Sequence, residues 1–293
     1  MERRTLFNGW VLPALLVLPQ LLISIVFFYW PAGQAMWSSL TTEDPFGLGS
    51  VFVGADNFTA LFADPRYLAT IVRTLLFCAA VAALSMSVAL ILAVFADRDI
   101  RGRGIYRTLL IWPYAVAPVI SAMLWLFILN PQVGLLGRWL NAHGIPWDYN
   151  VNGGQALLMV IVASAWKQVS YNFIFFLAGL QSIPRAVIEA ARMDGARGWR
   201  RFRTITFPLL APTTFFLIVV NLTYAAFDTF GTIWSLTQGG PGQSTETLVL
   251  KVYRDGVVNL DLGSSSAQSV ILMVGVILLT VIQFRFIGRR TNA

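Results

Sequence analysis

The chain has 293 residues, of which 57% are hydrophobic and only 12% are charged, and its formal net charge is +7. Because soluble domains average about 25% charged residues, this composition indicates an integral membrane protein and excludes an ordinary soluble enzyme. Cys78 and His143 are the only residues of their types. Their scarcity excludes a disulfide within the chain, a Cys/His metal cluster and a Cys–His nucleophilic pair.

Six apolar stretches are long enough to cross a hydrocarbon core roughly 30 Å thick. They lie near Trp10–Trp30, Thr74–Phe95, Ile105–Leu129, Ala156–Leu180, Leu209–Phe230 and Ala267–Phe286. The first stretch is too long for the apolar core of a signal peptide, and no small-residue cleavage site follows it closely, so we interpret it as an uncleaved span. The sequence therefore predicts an all-α integral membrane protein with six transmembrane helices in a single domain over residues 1–293.

The basic residues are distributed unevenly between the two sides of these spans. With the N-terminus inside, 15 of the 21 basic residues fall on cytoplasmic segments, namely Arg3, Arg4, Arg98, Arg101, Arg103, Arg107, Arg185, Arg192, Arg197, Arg200, Arg201, Arg203, Arg285, Arg289 and Arg290. The positive-inside rule accounts for this asymmetry and places both termini in the cytoplasm. No nucleic-acid partner is needed to explain the net charge.

Two prolines interrupt the third stretch. Pro113 and Pro118 each remove a backbone hydrogen-bond donor from the helix. Because such a loss distorts the helical hydrogen-bond ladder, the pair predicts a bend in this span.

The fourth stretch carries a stripe of polar residues. Polar groups inside a span are costly, about 2.5–3.5 kcal/mol for a central charge, so each is a candidate for a transport path. Positions i, i+3, i+4 and i+7 hold Ser164, Lys167, Gln168 and Tyr171. Residues at this spacing share one helical face. Lys167 lies near the middle of the membrane and is the basic group best placed to offset the charge of an anionic solute.

A second stripe follows the fifth stretch. Positions i, i+7, i+10 and i+14 hold Thr214, Asn221, Tyr224 and Asp228. The candidate pathway residues taken from the two stripes are Lys167, Gln168, Tyr171, Asn221, Tyr224 and Asp228. The alternative is that these side chains hydrogen-bond helices to one another, as Asn, Gln and Tyr often do in membranes.

A fixed pattern lies between the fourth and fifth stretches. It consists of Glu189-Ala190-Ala191, three residues, Gly195, nine residues, Ile205, two residues and Pro208. Pro184 suits the first turn of a helix, and Gly195 suits its C-terminal stop, so the sequence predicts a short helix over residues 186–193.

This pattern resembles the EAA loop of bacterial ABC importer permeases, whose consensus is E-A-A-x3-G-x9-I-x-L-P, with Phe207 here in place of the leucine. In that family the loop, here 181–208, inserts into a groove on an ATPase subunit. The resemblance implies a role in ATPase coupling for Glu189, Ala190, Ala191, Asp194, Gly195, Ile205 and Pro208. The alternative is an ordinary surface helix in which Glu189 is merely paired with Arg185 or Arg192.

Further stretches resemble the permeases of bacterial sn-glycerol-3-phosphate uptake systems, in the carbohydrate branch of ABC importers. They are Trp30-Pro31-Ala32-Gly33, Asp44-Pro45-Phe46-Gly47, Pro113-Tyr114-Ala115-Val116-Ala117-Pro118, Trp166-Lys167-Gln168, Tyr171-Asn172-Phe173, Gln181-Ser182-Ile183-Pro184 and Phe227-Asp228-Thr229-Phe230. The resemblance implies the MetI-like bundle of type I importer permeases. It also implies a second homologous permease, an ATPase dimer, a periplasmic substrate-binding protein and surrounding membrane lipid as partners.

The chain has no ATP-binding P-loop of its own. Its two lysines, Lys167 and Lys251, follow Trp166 and Leu250, whereas a P-loop lysine follows glycine. ATP hydrolysis is therefore expected on a partner subunit, and no catalytic residue, cofactor or metal is predicted in this chain.

Three other functions remain as alternatives. The same type of importer could carry another sugar, polyol or oligosaccharide. A secondary transporter or channel would need no ATPase, but it would not need the docking pattern either. A membrane enzyme would need His, Asp or Glu clustered at one membrane face, and the scattered carboxylates do not supply such a cluster.

Overall fold

The computed structural model describes residues 10–43, 49–97 and 102–290. The predicted cytoplasmic residues Arg3, Arg4, Arg98 and Arg101 and the segment Asp44-Pro45-Phe46-Gly47 lie outside these ranges. In the described part, five helices are long and apolar enough to cross a membrane, and a sixth span results if two helices joined by a sharp bend count as one. The all-α class predicted from the sequence is confirmed.

Thirteen helices and two strands follow one another along the described chain. They are α1 (Val11–Ser38), β1 (Thr41–Glu43), β2 (Ser50–Phe52), α2 (Asp56–Ala63), α3 (Pro65–Ala96), α4 (Arg103–Ala115), α5 (Pro118–Leu129), α6 (Leu135–Ala142), α7 (Gly153–Ser182), α8 (Arg185–Met193), α9 (198–209), α10 (Ala211–Asp228), α11 (Phe230–Leu236), α12 (Leu248–Tyr253) and α13 (Leu262–Arg290). The six apolar stretches correspond to α1, α3, α4 with α5, α7, α10 and α13. The short helices and the β-hairpin between the spans are not evident from the apolar pattern.

The third predicted span is broken into α4 and α5, whose axes meet at 104°. The break lies at Val116 and Ala117, which have the extended ψ angles 129° and 142°. A residue before proline is disfavoured in the α conformation, so the helix does not continue through Ala117, and Pro118 starts a new one. Pro113, by contrast, lies inside α4 without breaking it. The predicted bend is therefore present and is caused by one of the two prolines.

The described residues fall into two compact units, one within residues 10–65 and Val252–Gly275 and the other within Arg66–Lys251 and residues 276–290. In the first unit β1 pairs antiparallel with β2. Asn57 Nδ2 donates to the main-chain oxygens of Ser39 and Thr41, both at 2.9 Å, and joins α2 to the end of α1. The Gln268 amide donates to Asp255 Oδ2 at 2.6 Å and holds the start of α13 against the turn after α12.

The second unit is built around α7, which has buried residues along its length from Ala156 to Leu180. One apolar cluster includes Phe77, Met159 and Ile233, and it packs α7 against α3, α5, α10 and α11. A second cluster packs the ends of α3 and α7 nearest to α8 against α10. Because lipid is as apolar as these side chains, close van der Waals packing, and not exclusion from water, holds such helices together.

The loop between α11 and α12 is fastened to the start of α3. Arg73 Nη1 donates to the main-chain oxygen of Glu246 at 3.0 Å. The Leu248 N–H donates to Thr74 Oγ1 at 2.9 Å. The side chains of Thr245, Glu246 and Thr247 are almost wholly buried, so this loop is an ordered part of the second unit.

Candidate coupling loop and transport path

The short helix predicted for the loop between the fourth and fifth spans is α8. It starts at Arg185, directly after Pro184, and ends at Met193. The N–H of Val187 donates to the oxygen of Pro184 at 3.1 Å and closes the first turn. Proline therefore stands immediately before the helix, one position earlier than a first-turn residue.

The C-terminus of α8 is closed by a Schellman motif. The Ala196 N–H donates to the Ala191 oxygen at 2.9 Å, and the Gly195 N–H donates to the Arg192 oxygen at 3.1 Å. Gly195 has φ +75°, in the left-handed region, where glycine has no steric penalty. The Ala191 and Ala196 side chains are both buried, which supplies the apolar contact that accompanies this motif. The geometry of this helix end thus explains the small residue Ala191 and the glycine Gly195 in the sequence pattern.

The remaining residues of α8 form a small exposed surface that combines charged and apolar side chains. Glu189, Ala190 and Asp194 are exposed, and the Met193 side chain is 88% exposed. Within the described part of the chain, Glu189 makes no ion pair with Arg185 or Arg192. An uncovered methionine beside a methyl-sized Ala190 is typical of a surface that another protein covers.

Helix α9 leads from this surface to the fifth span. It contains a π-helical turn at Phe202–Thr206. Ile205 is half-buried and Pro208 is exposed. The Phe207 ring is 44% exposed and lies 6.0 Å from the Phe202 ring, centroid to centroid. The substitution of leucine by phenylalanine in the pattern therefore falls at a position with room for a larger side chain.

The stripe predicted on α7 alternates between buried and half-buried residues. Ser164 and Gln168 are buried, whereas Lys167 and Tyr171 are half-buried. Asp228, the last residue of α10, is exposed. Neither charged candidate of the two stripes is therefore fully buried.

Asn221 of the second stripe has a different environment, because its side chain is wholly buried. Its Nδ2 donates to Asn172 Oδ1 and to the Leu217 oxygen, both at 2.7 Å. Its Oδ1 accepts from Ser85 Oγ at 2.9 Å and from Asn172 Nδ2 at 3.0 Å. The amide is fully occupied in this conformation. Tyr224, three residues on, is half-buried and its hydroxyl donates over 3.4 Å to the Ser164 oxygen.

Two features of this region are missing from the candidates read off the sequence. Asn172 completes the buried network, and its spacing of four from Gln168 places it on the same helical face. A line of aromatic rings also runs beside the stripe. Tyr171 lies 5.7 Å from Tyr114 and 4.8 Å from Phe175, which lies 5.2 Å from Phe216. Only the four-residue spacing of Tyr171 and Phe175 was visible in the sequence.

Titratable residues are not gathered into a metal-binding group among the described residues. No cluster of three or more His, Cys, Asp or Glu side chains suited to a metal ion occurs there. Cys78 is buried and unpaired with another cysteine.

Known proteins resemble this chain over nearly its full length. The "sn-glycerol-3-phosphate transport system permease protein UgpA" of Rhizobium meliloti (strain 1021) is 58% identical over 290 residues, which cover 99% of each chain. The protein of the same description from Yersinia enterocolitica is 56% identical over 281 residues, covering 96% of this chain and 95% of that protein.

The fold is also shared with a solved transporter. A chain of the bacterial alginate ABC transporter, crystallised with an alginate pentasaccharide-bound periplasmic protein, superposes with a TM-score of 0.82 at 22% identity, covering 96% of each chain. Residues 85–292 match the family model described as "Binding-protein-dependent transport system inner membrane component", which is a transport family and not an enzyme family. This protein belongs to the family of binding-protein-dependent transport system inner membrane components, and it is a multi-pass inner-membrane permease of the ABC importer type.

Proposed function

We propose that this chain forms half of the translocation pathway of an ATP-driven importer for sn-glycerol-3-phosphate. The observation that carries the proposal is the 58% identity with a glycerol-3-phosphate permease over 99% of both chains. The shared region includes every span and every loop, so the similarity is not confined to the segment common to all such permeases. The family model, in comparison, covers only residues 85–292.

The closing motion of the ATPase is transmitted to this permease through α8 and α9. Glu189, Ala190 and Asp194 form the exposed face of the coupling loop, and Gly195 closes the helix below them. Ala190 allows close approach of a neighbouring surface, while Glu189 carries an unneutralised charge that a basic group of the ATPase can pair with. Ile205 and Pro208 lie on α9, which leads to the fifth span. Closure of the ATPase would thus move α8 and, through α9, the span α10.

The importer we propose has four kinds of component. This chain pairs with a second homologous permease, and each permease contacts one copy of an ATPase dimer. A periplasmic substrate-binding protein delivers the solute from outside. The solved alginate transporter of the same fold was crystallised with such a periplasmic protein, which supports the arrangement.

The anionic solute passes near the two charged candidates. A phosphomonoester has a second pKa of about 6 and so carries between one and two negative charges near neutral pH. Lys167 offsets that charge, and Asp228 accepts hydrogen bonds from the glycerol hydroxyls. Gln168, Tyr171 and Tyr224 line the same path. Asn221 is held in its buried network in this conformation, so we assign it to the path only if the network opens during transport.

A neutral sugar or oligosaccharide is the second candidate for the cargo. The line of rings formed by Tyr114, Tyr171, Phe175 and Phe216 favours it. Aromatic faces bind the apolar faces of sugar rings, which glycerol-3-phosphate lacks. Lys167, on the same helical face as Tyr171, favours an anionic solute instead.

Uptake by proteoliposomes tests both the assignment to ATP-driven importers and the identity of the transported solute. The vesicles hold this chain, its partner permease and the ATPase, and the binding protein is added outside. We expect uptake of labelled glycerol-3-phosphate that requires ATP and the binding protein and is competed by unlabelled glycerol-3-phosphate but not by maltose. ATP hydrolysis stimulated only by the binding protein loaded with another solute would keep the importer and reject this cargo.

A further inference from the structure

A cleft lies between the coupling loop and the adjoining spans, entirely within the second unit. Its volume is about 840 Å³, within the roughly 300–1,000 Å³ typical of ligand sites. Its lining includes Leu90, Val94 and Asp97 beside α3, Leu180 of α7, Arg192 of α8, and Trp199 and Arg201 of α9. The coupling helix α8 therefore forms one wall, α3 and α7 form a second, and α9 forms a third.

The lining has two chemically distinct parts. The wall formed by α3 and α7 is apolar along Leu90, Val94 and Leu180. The one carboxylate among the described lining residues, Asp97, directly follows the end of α3. The wall formed by the coupling loop contributes two guanidinium groups, Arg192 and Arg201. Arg201 is half-buried and Arg192 is exposed, so both cations remain accessible to an anionic group.

The position of the cleft limits what can enter it. The ends of α3 and α7 meet the arginine-rich segments that the positive-inside rule assigns to the cytoplasm. Trp199, 73% exposed, also lines the cleft, and tryptophan favours the level of the lipid headgroups. An occupant therefore has to combine a long apolar part with an anionic group at the cytoplasmic surface of the bilayer.

We propose that this cleft binds an anionic phospholipid of the cytoplasmic leaflet, with an acyl chain along α3 and α7 and the phosphate held by Arg192 and Arg201. Guanidinium groups bind phosphate oxygens through paired charge-assisted hydrogen bonds. A free phosphate ion would use the two arginines but leave the apolar wall uncovered. The bound lipid joins α8 to α3, so it braces the coupling helix against the span beside it.

Native mass spectrometry of the assembled transporter tests this site. The complex is delipidated in detergent and titrated with phosphatidylglycerol, phosphatidylcholine or inorganic phosphate. We expect phosphatidylglycerol to be retained and phosphatidylcholine to be lost. The double variant Arg192→Gln/Arg201→Gln should retain phosphatidylglycerol at least about tenfold less tightly, because each basic group near the headgroups contributes to the attraction.

Two further variants separate the specific site from general charge. Arg200→Gln/Arg203→Gln removes the same charge from α9 at exposed residues that do not line the cleft, and it should bind lipid as the unmodified protein does. Val94→Trp places a larger side chain on the apolar wall and so narrows the cleft. It should weaken phosphatidylglycerol retention although both arginines are present.

Three results would overturn the proposal: equal retention by the two double variants, equal retention of the two lipids, or complete competition by inorganic phosphate. The last would identify a free-anion site in place of a lipid site. Lipid retention does not depend on which solute is transported, so these outcomes are independent of the cargo assignment.

Discussion

A buried pair of amides joins three helices of the second unit. Asn172 on α7 and Asn221 on α10 exchange hydrogen bonds, and Ser85 on α3 bonds with both. All three residues have no exposed surface. Amide side chains in an apolar interior must find partners, so this network specifies one register of the three helices. Apolar contacts alone would allow several registers.

Replacing Asn221 with alanine should destabilise the permease. The Asn172 amide and the Ser85 hydroxyl lose their partner, and unsatisfied buried groups cost about 1–3 kcal/mol. We expect a lower thermal unfolding midpoint of the purified complex in detergent. Thr214→Ala on the same helix is the control, because the Thr214 hydroxyl is buried without a hydrogen-bond partner in the described structure. An unchanged midpoint with a raised KM for uptake would instead make Asn221 a solute contact.

Lys167 should set the preference for an anionic solute. Lys167→Met removes the positive charge from the half-buried middle of α7, and we expect the KM for glycerol-3-phosphate to rise at least about tenfold, equivalent to ~1.4 kcal/mol. Lys167→Arg keeps the charge, so its KM should lie much closer to that of the unmodified protein. The measurement is initial uptake rate against solute concentration in proteoliposomes. Equal KM values for the methionine variant and the unmodified protein would remove Lys167 from the path.

At the scale of the element, the coupling helix combines a fixed end with an open face. Its C-terminus is closed by the Schellman hydrogen bonds and by the buried methyl groups of Ala191 and Ala196. Its outer face carries the exposed side chains of Glu189, Ala190 and Met193. A helix of nine residues is too short to be stable alone. The capping and the contact below it therefore hold α8 in place before any partner is bound.

Gly195→Asp should uncouple transport from ATP hydrolysis. A Cβ atom at Gly195 would meet nothing within 4 Å, so the substitution creates no clash inside the subunit and instead places a carboxylate on the docking face. Gly195→Asn is the matched control, since asparagine has nearly the same shape and tolerates a φ of +75°. We expect uptake to be lost in the aspartate variant and largely kept in the asparagine variant. Normal ATP-driven uptake by the aspartate variant would contradict the coupling role of this loop.

Phe207→Leu, which restores the family consensus, should change little. The ring is 44% exposed and its described aromatic neighbour is Phe202 at 6.0 Å. Leucine is apolar and fills part of the same space, so uptake and binding-protein-stimulated ATP hydrolysis should stay within about twofold of the unmodified values. A larger change in the ratio of ATP hydrolysed to solute transported would show that the phenylalanine itself adjusts coupling.

At the scale of the molecule, the sequence alone predicts the long helices but does not predict the solute path between them. Apolar length identifies a span because each buried backbone group in lipid must be bonded within its helix. The same reasoning cannot reveal the 104° break after Ala115, since a proline is compatible with a mild kink or with a complete stop. Nor can spacing show whether Asn221 faces a solute or Asn172, because both choices use the same helical face.

The broken span also makes the topology of the whole chain testable. If α4 and α5 cross the membrane as one span, Met193 lies on the cytoplasmic side and Gln243 outside. If the pair returns to the side from which it entered, these two positions are exchanged. The arginines around α8 favour the crossing.

Both residues are exposed, so each can be replaced with cysteine in a Cys78→Ala background and treated with a membrane-impermeant maleimide in right-side-out vesicles. We expect Gln243→Cys to react directly and Met193→Cys to react only after permeabilisation. The reverse pattern would show that the α4–α5 pair is re-entrant, and it would place the coupling loop where no cytoplasmic ATPase could reach it.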